Sequence, residues 1–265
     1  ASYNKLFGFV DQKYLGGVYV IRPGFTGSFG IQSVGVDDIP RTLATGVDTG
    51  QTFAYRGTNY SVGVGFELSK FFDDPFLRRF SFGSSFKIIR EELYDYGGLG
   101  FGLDLGLLTK VDDKTWVGLQ LKNINSPRIT WDSPDKPKEF VPSVVSLGIR
   151  YNLYEKFHLG LDIIKKQKRS LKQGFGLEYD AYNYNSLLVQ GRAGFRDDAA
   201  HIGLGLKYLE FQLDYAYRFS PKDYMESSHW VTFSYIFKSK NNNGNDELDN
   251  VNVSEDLDLI KMSLD

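Results

Sequence analysis

Apolar and polar residues alternate with a period of two along most of this chain. In "GGLGFGLDLGLL", Leu99, Phe101, Leu103, Leu105 and Leu107 share one face of an extended chain, while Gly98, Gly100, Gly102, Asp104 and Gly106 share the other. In "RRFSFGSSFKIIR", Phe80, Phe82, Phe86 and Ile88 oppose Ser81, Gly83, Ser85 and Lys87. The same alternation runs through Tyr60 to Leu68, Val145 to Tyr151, Phe157 to Ile163, Phe175 to Tyr179, Ile202 to Tyr208, Phe211 to Phe219 and Val231 to Phe237. Period two sustained at this density predicts strands, not helices. About fourteen strands result, over 3–10, 16–22, 26–35, 57–70, 78–93, 97–109, 115–123, 142–151, 157–165, 174–181, 186–195, 200–208, 210–219 and 229–238.

Most of these runs reach the nine to eleven residues or so that a tilted strand needs to cross a bilayer. Soluble strands are commonly nearer five or six. From strand 97–109 onward the connections alternate in length. "VDDK", "NLYEK", "YNYN" and the turn at Leu209 are short; "NSPRITWDSPDKPKEF", "KKQKRSLK", "RDDAA" and "SPKDYMESS" are longer. Up-and-down membrane barrels have short periplasmic turns and longer outer loops. That parity predicts a transmembrane antiparallel up-and-down β-barrel in the bacterial outer membrane with both termini periplasmic. The longest predicted loop, "DDIPRTLATGVDTGQTFAYRG", then falls outside.

Composition agrees with a β protein. The 265 residues include 21 Phe, 17 Tyr and 28 Gly but only 8 Pro, and mean hydropathy is −0.31. A net charge of −2 gives no electrostatic case for nucleic acid as a partner. The absence of Cys excludes disulfides, thiolate metal sites and thiol catalysis. No run approaches the roughly 18 apolar residues of a membrane helix. Ala1 precedes "SYNKLFGF" without the basic flank and apolar core of a signal peptide, so the chain reads as a mature or trimmed form.

The polar face consists of Gly, Ser, Thr and isolated charges of both signs. Its acids are Glu67, Asp104, Asp162, Glu178 and Asp214; its bases are Lys87, Lys122, Arg150, Arg192, Lys207 and Arg218. Water-facing strands of soluble sheets carry Thr, Lys and Glu densely, and Gly weakens them. Repeated Gly suits the crowded interior of a closed barrel, where mixed charges pair across a narrow lumen. These eleven charged residues are therefore the lumen-lining candidates. Tyr94, Tyr96, Trp131, Tyr151, Tyr154, Tyr179, Tyr182, Tyr184, Tyr208 and Tyr217 lie at or near strand ends, as aromatic girdles do.

No catalytic constellation is legible. His158, His201 and His229 do not pair at metal-ligand spacing, and a structural or lumen role is expected for each. "GFGLDLG" and "GVGFELS" open no helix, which removes a phosphate-binding reading. The Asp-Asp pairs at 37–38, 73–74, 112–113 and 197–198 read as turn chemistry. No enzyme, metal or cofactor is expected.

"FKIIREELYDYGGLGFGLDLGLLTK", "TWVGLQLKNINS" and "VPSVVSLGIRYNL" resemble the mid-barrel core of the FadL-like outer-membrane superfamily. "GFGLEYDAYN", "LLVQGRAGF", "HIGLGLKYLEFQLDYAYRF" and "SSHWVTFSYIF" continue the resemblance over roughly 26–237. It is nearest the PorV/PorQ-type branch associated with type IX secretion. The resemblance implies a fourteen-stranded barrel, with either passage of hydrophobic molecules, as in FadL-like members, or binding of the C-terminal signal domains of secreted cargo, as in PorV-like ones. The hatch expected ahead of strand one in FadL-like members is not among the residues from Ala1 onward, being either trimmed or disordered or lacking in this member, so no plug or ligand residue is carried over.

The expected function is a PorV-like, non-enzymatic binding, shuttle or accessory barrel of a secretion machinery. The alternatives are a FadL-type channel for hydrophobic small molecules and a structural anchor of an envelope complex. Expected partners are the lipid bilayer, other envelope or secretion proteins and, in the channel reading, a hydrophobic ligand. Trp131, in the outer loop 124–141, is an exposed anchor candidate for a partner. "HWVTFSYIF" is predicted to close the barrel against the first strand. Residues 1–238 form the barrel domain, and 239–265 a polar, acidic and Asn-rich periplasmic tail. That tail is expected to be either a disordered extension or a docking peptide, in which Leu257, Leu259, Ile260, Met262 and Leu264 supply one apolar face for a partner.

Overall fold

A computed structural model describes residues 1–196, 199–219 and 227–237. The strands are β1 (Ser2–Leu6), β2 (Val10–Arg22), β3 (Phe25–Thr42), β4 (Asp48–Glu67), β5 (Phe80–Leu93), β6 (Tyr96–Lys110), β7 (Thr115–Lys122), β8 (Arg128–Trp131), β9 (Lys138–Phe140) and β10 (Val144–Tyr154). They continue as β11 (Phe157–Lys166), β12 (Leu171–Tyr184), β13 (Leu187–Arg196), β14 (Ala199–Tyr208), β15 (Phe211–Arg218) and β16 (Ser228–Tyr235). Each strand pairs antiparallel with its neighbours in chain order, with β8 and β9 standing outside the ring. The remaining strands close a 14-strand barrel.

Closure is made by β1 and β16, with Tyr3 opposite Val231 and Lys5 opposite His229. Phe233 N donates to Ala1 O at 2.8 Å and Ala1 N donates to Phe233 O at 2.8 Å, completing the seam. A closed ring leaves no unpaired edge, which strands in hydrocarbon cannot tolerate.

The barrel is apolar outside and polar inside. Phe29, Val62, Phe86, Phe101, Leu161, Phe175, Ile202, Leu204 and Phe233 are exposed on its outer surface. The buried polar side chains are Asn4, Asn123, Gln190, Gln212, Asp214 and Ser228, whereas the buried apolar ones among the described residues are Ile89, Ile129 and Ala199. Water outside such a wall would meet a continuous hydrocarbon surface, so the outer face is the lipid face. No helix among the described residues is long and apolar enough to cross a membrane.

Three expectations are corrected. Strand 3–10 breaks early, because Phe7 and Gly8 take positive φ (52° and 78°) and Phe9 N donates to Leu6 O, starting β2 at Val10. The predicted loop 37–57 is largely paired: Ile39 lies opposite Phe53 and Thr42 opposite Asp48, with bulges that accommodate Pro40. This hairpin extends well beyond its neighbours, and Arg41 ties it to the β5–β6 turn by a bond to Tyr94 Oη at 3.0 Å. The segment 124–141 is not plain loop but carries the β8–β9 hairpin. Tyr217 lies near the end of β15 as expected, half-buried against Phe219 and His229, whereas Tyr94, Tyr96, Tyr151, Tyr154, Tyr179, Tyr182, Tyr184 and Tyr208 are exposed.

One rim carries Ala1, Phe237 and the connections 23–24, 68–79, 111–114, 155–156, 185–186 and 209–210. Most are tight; Asn185 and Ser186 both take positive φ, which suits the twist of a two-residue hairpin turn. The exception is 68–79, which coils into two single 3₁₀ turns with Asp74 Oδ1 accepting from Phe76 N and Leu77 N. The β3–β4 and β8–β9 hairpins mark the opposite, second rim. The tail 239–265 and its Leu257, Leu259, Ile260, Met262 and Leu264, like the Asp197–Asp198 pair, lie outside the described residues.

Candidate functional site: the lumen

The register of the strands assembles the lumen. Asn152 lies opposite His158, His158 opposite Glu178, and Glu178 opposite Arg192, so side chains from β10 to β13 point inward at one level. Asp180 shares the inward face two residues beyond Glu178 and lies opposite Gln190. Arg192 Nε donates to Glu178 Oε2 at 2.6 Å and its Nη1 donates to Asp214 Oδ1 at 2.6 Å, while Nη2 reaches Gln190 Oε1 at 2.9 Å. Gln212 Nε2 donates to both Asp214 oxygens, and Arg150 adds a longer ion pair to Glu178 at 3.5 Å. This belt brings together four predicted residues, Arg150, Glu178, Arg192 and Asp214. Every arm of the Arg192 fork is used, which fixes the side chain and its carboxylate partners against one wall.

A second set lies toward the second rim. Lys87 Nζ is 2.8 Å from Asp104 Oδ1 and 2.8 Å from Asn123 Oδ1. Asp104 also accepts from Asn123 N. Asp162 pairs loosely with Arg196 at 3.8 Å. Lys122 is half-buried at the end of β7, whereas Lys207 is half-buried on β14 near the first rim, opposite Gln212. Arg218 sets its guanidinium 5.8 Å from the centre of the Phe7 ring. Glu67 departs from expectation: it is exposed at the end of β4, where it accepts from Ser69 Oγ at 2.6 Å, because the chain turns into 68–79 at that point.

The second mouth is partly covered. β6 outlasts its partner β7, and the chain from Asn123 to Asp132 follows the exposed edge of β6 in place of a regular strand. Asn125 supplies what a strand backbone would: its Oδ1 accepts from Leu103 N at 3.0 Å and its Nδ2 donates to Phe101 O at 2.9 Å. Beyond it, Ile129 packs on the inward face of Gly98 and Gly100, where any Cβ would strike its side chain, and is 1% exposed. Ile89 stands opposite Gly100 and is buried as well. Trp131 rests on Gly98 and is half-buried, which corrects the expectation of an exposed anchor.

Sequence reasoning missed Asn123, Asn125, Asn152, His158 (beyond a general lumen role), Asp180, Gln190, Arg196 and Gln212. Inward parity marks His158, Asp180, Gln190 and Gln212, but the edge-capping of Asn125 has no periodic signature.

No family model matches the chain, and no curated protein matches it. Solved structures do. The toluene transporter TodX of Pseudomonas putida superposes with TM-score 0.57 at 12% identity, over 90% of this chain and 88% of that one. The toluene transporter TbuX of Ralstonia pickettii gives TM-score 0.50 at 12% identity, over 89% and 90%. A Pseudomonas aeruginosa FadL homologue gives TM-score 0.50 at 11% identity, over 85% and 77%. At these identities the likeness establishes the FadL-like fold.

Proposed function

We propose that this chain is a non-enzymatic outer-membrane barrel that binds or passes a small hydrophobic molecule. The observation that carries this reading is a fold shared along nearly its whole length with barrels named as toluene transporters. We place the second rim outside and the rim bearing Ala1 and Phe237 in the periplasm, following loop parity. The test is uptake of radiolabelled toluene or palmitate by liposomes containing the purified barrel. Saturable uptake above empty liposomes is expected, and uptake equal to empty liposomes refutes the channel.

One observation favours a second reading, a PorV-like accessory barrel of a secretion machinery. The lumen wall is bonded into ion pairs and amide contacts, which leaves little apolar lining for a solute to follow. Affinity capture from envelope extract separates the two: recovery of a secretion component or of a cargo signal domain, with no uptake of either solute, selects the accessory role.

A further inference from the structure

The polar belt forms a circuit with one open link. Asp180 Oδ1 accepts from Gln190 Nε2 at 2.9 Å, Gln190 Oε1 accepts from Arg192, and Arg192 holds Glu178. Glu178 pairs with Arg150, whose Nε donates to Asn152 Oδ1 at 3.4 Å, and His158 Nδ1 lies 2.9 Å from the same oxygen. The return from His158 Nε2 to Asp180 Oδ2 spans 3.7 Å, too far for a hydrogen bond.

Chemistry specifies what fits that gap. Asn152 Oδ1 can only accept, so His158 Nδ1 carries the proton and donates it. In the neutral ring, Nε2 is then a lone pair aimed at a carboxylate. An imidazole oriented through Nδ1–H, with Nε2 left free, is the usual arrangement of a metal-bound histidine. The Asp180 side chain is 15% exposed, and both arginines point elsewhere, one to Glu178 and the other to Glu178 and Asp214. A carboxylate held away from water calls for a positive charge, which the arginines do not bring to Asp180 and which a cation bridging it to His158 Nε2 would supply. The spacing suits a small ion, because two ligands at about 2.1 Å and a near-tetrahedral angle lie about 3.4 Å apart. The nearest ligand atoms of His158, Glu178 and Asp180 all fall within 4.8 Å of one another.

We propose that His158 and Asp180, with Glu178 as a third and shared ligand, bind a divalent transition-metal ion of the zinc class on the lumen wall. Histidine selects such an ion over calcium or magnesium, which prefer an all-oxygen shell. The site is independent of whether the barrel passes a solute.

The test uses the folded barrel in detergent at pH 8, where a free imidazole is deprotonated, after chelator treatment and dialysis. Cobalt(II) is titrated while its visible bands are recorded, followed by displacement with zinc. One equivalent should bind, and His158→Ala and Asp180→Asn should each weaken it at least tenfold. His201→Ala, whose ring lies against Trp230, should leave the affinity unchanged. Heat-modifiable migration on gels verifies that each variant is folded, and the isosteric Asp180→Asn serves if His158→Ala is not. Absence of saturable binding in the parent protein, or parental affinity in either ligand variant, overturns the proposal.

Discussion

Arg192 and Glu178 face each other in register on β13 and β12, with Nε and Oε2 2.6 Å apart inside the barrel wall. Asp214 takes the other end of the guanidinium at 2.6 Å. Removing the arginine leaves two carboxylates partly shielded from water without their strongest partner. Arg192→Met is therefore expected to destabilise the barrel by about 3–5 kcal/mol, the cost of breaking a buried pair on one side. Urea unfolding in lipid vesicles measures this, and the double variant with Glu178→Gln should recover part of the loss.

The edge of β6 depends on one amide. Asn125→Ala deletes the acceptor for Leu103 N and the donor to Phe101 O. Two lost hydrogen bonds at about 0.5–1.5 kcal/mol each should loosen 123–132. Amide exchange at Leu103 should accelerate and protease should cut in this segment, while exchange on β11 to β15 stays as in the parent.

The assignment of the outer face predicts an asymmetry between neighbours. Leu204 is 64% exposed on the lipid face. Leu204→Arg should cost about 2–4 kcal/mol if it lies near the bilayer midplane. Folding into vesicles, followed by tryptophan fluorescence against urea, gives the value. In detergent micelles, which deform around a charge, the cost should shrink.

Outside the membrane, Asp112 caps the 111–114 turn by accepting from Lys114 N at 2.8 Å and Thr115 Oγ1 at 3.0 Å. The backbone bond from Lys114, then the Thr115 hydroxyl, lowers its pKa below the ordinary aspartate value of 3.8. A depressed folded-state pKa means that the contribution of this carboxylate is fully present above that ordinary value. It is lost as pH falls through the lower folded-state value. Carboxyl NMR titration should place the Asp112 midpoint below 3.8, and Asp112→Asn should remove the titration.

From β6 onward the strand expectations needed little change, since outward Leu, Phe and Tyr against inward Gly and charge repeat over whole strands. The misreadings share a cause. Residues 37–57 contain Asp, Pro, Gly and Thr that signal turns locally, yet each half pairs with the other because β3 and β4 are already in register below them. β8 and β9 are too short to show a period, and they form because β6 extends past β7 and leaves an edge to cover. Glu67 keeps the inward parity of Gly65 but sits where the strand ends, and parity carries no information about height in the barrel.

The sequence alone determined which residues meet lipid and which turn inward, because a period of two is a local property and side-chain chemistry separates the faces. It also set the number of strands in the ring, through the spacing of the turns. Only the tertiary structure decided which inward residues meet. His158, Glu178 and Asp180, or Arg192 and Asp214, become neighbours through inter-strand register, and register is fixed by pairing across the whole closed sheet and not by any single strand.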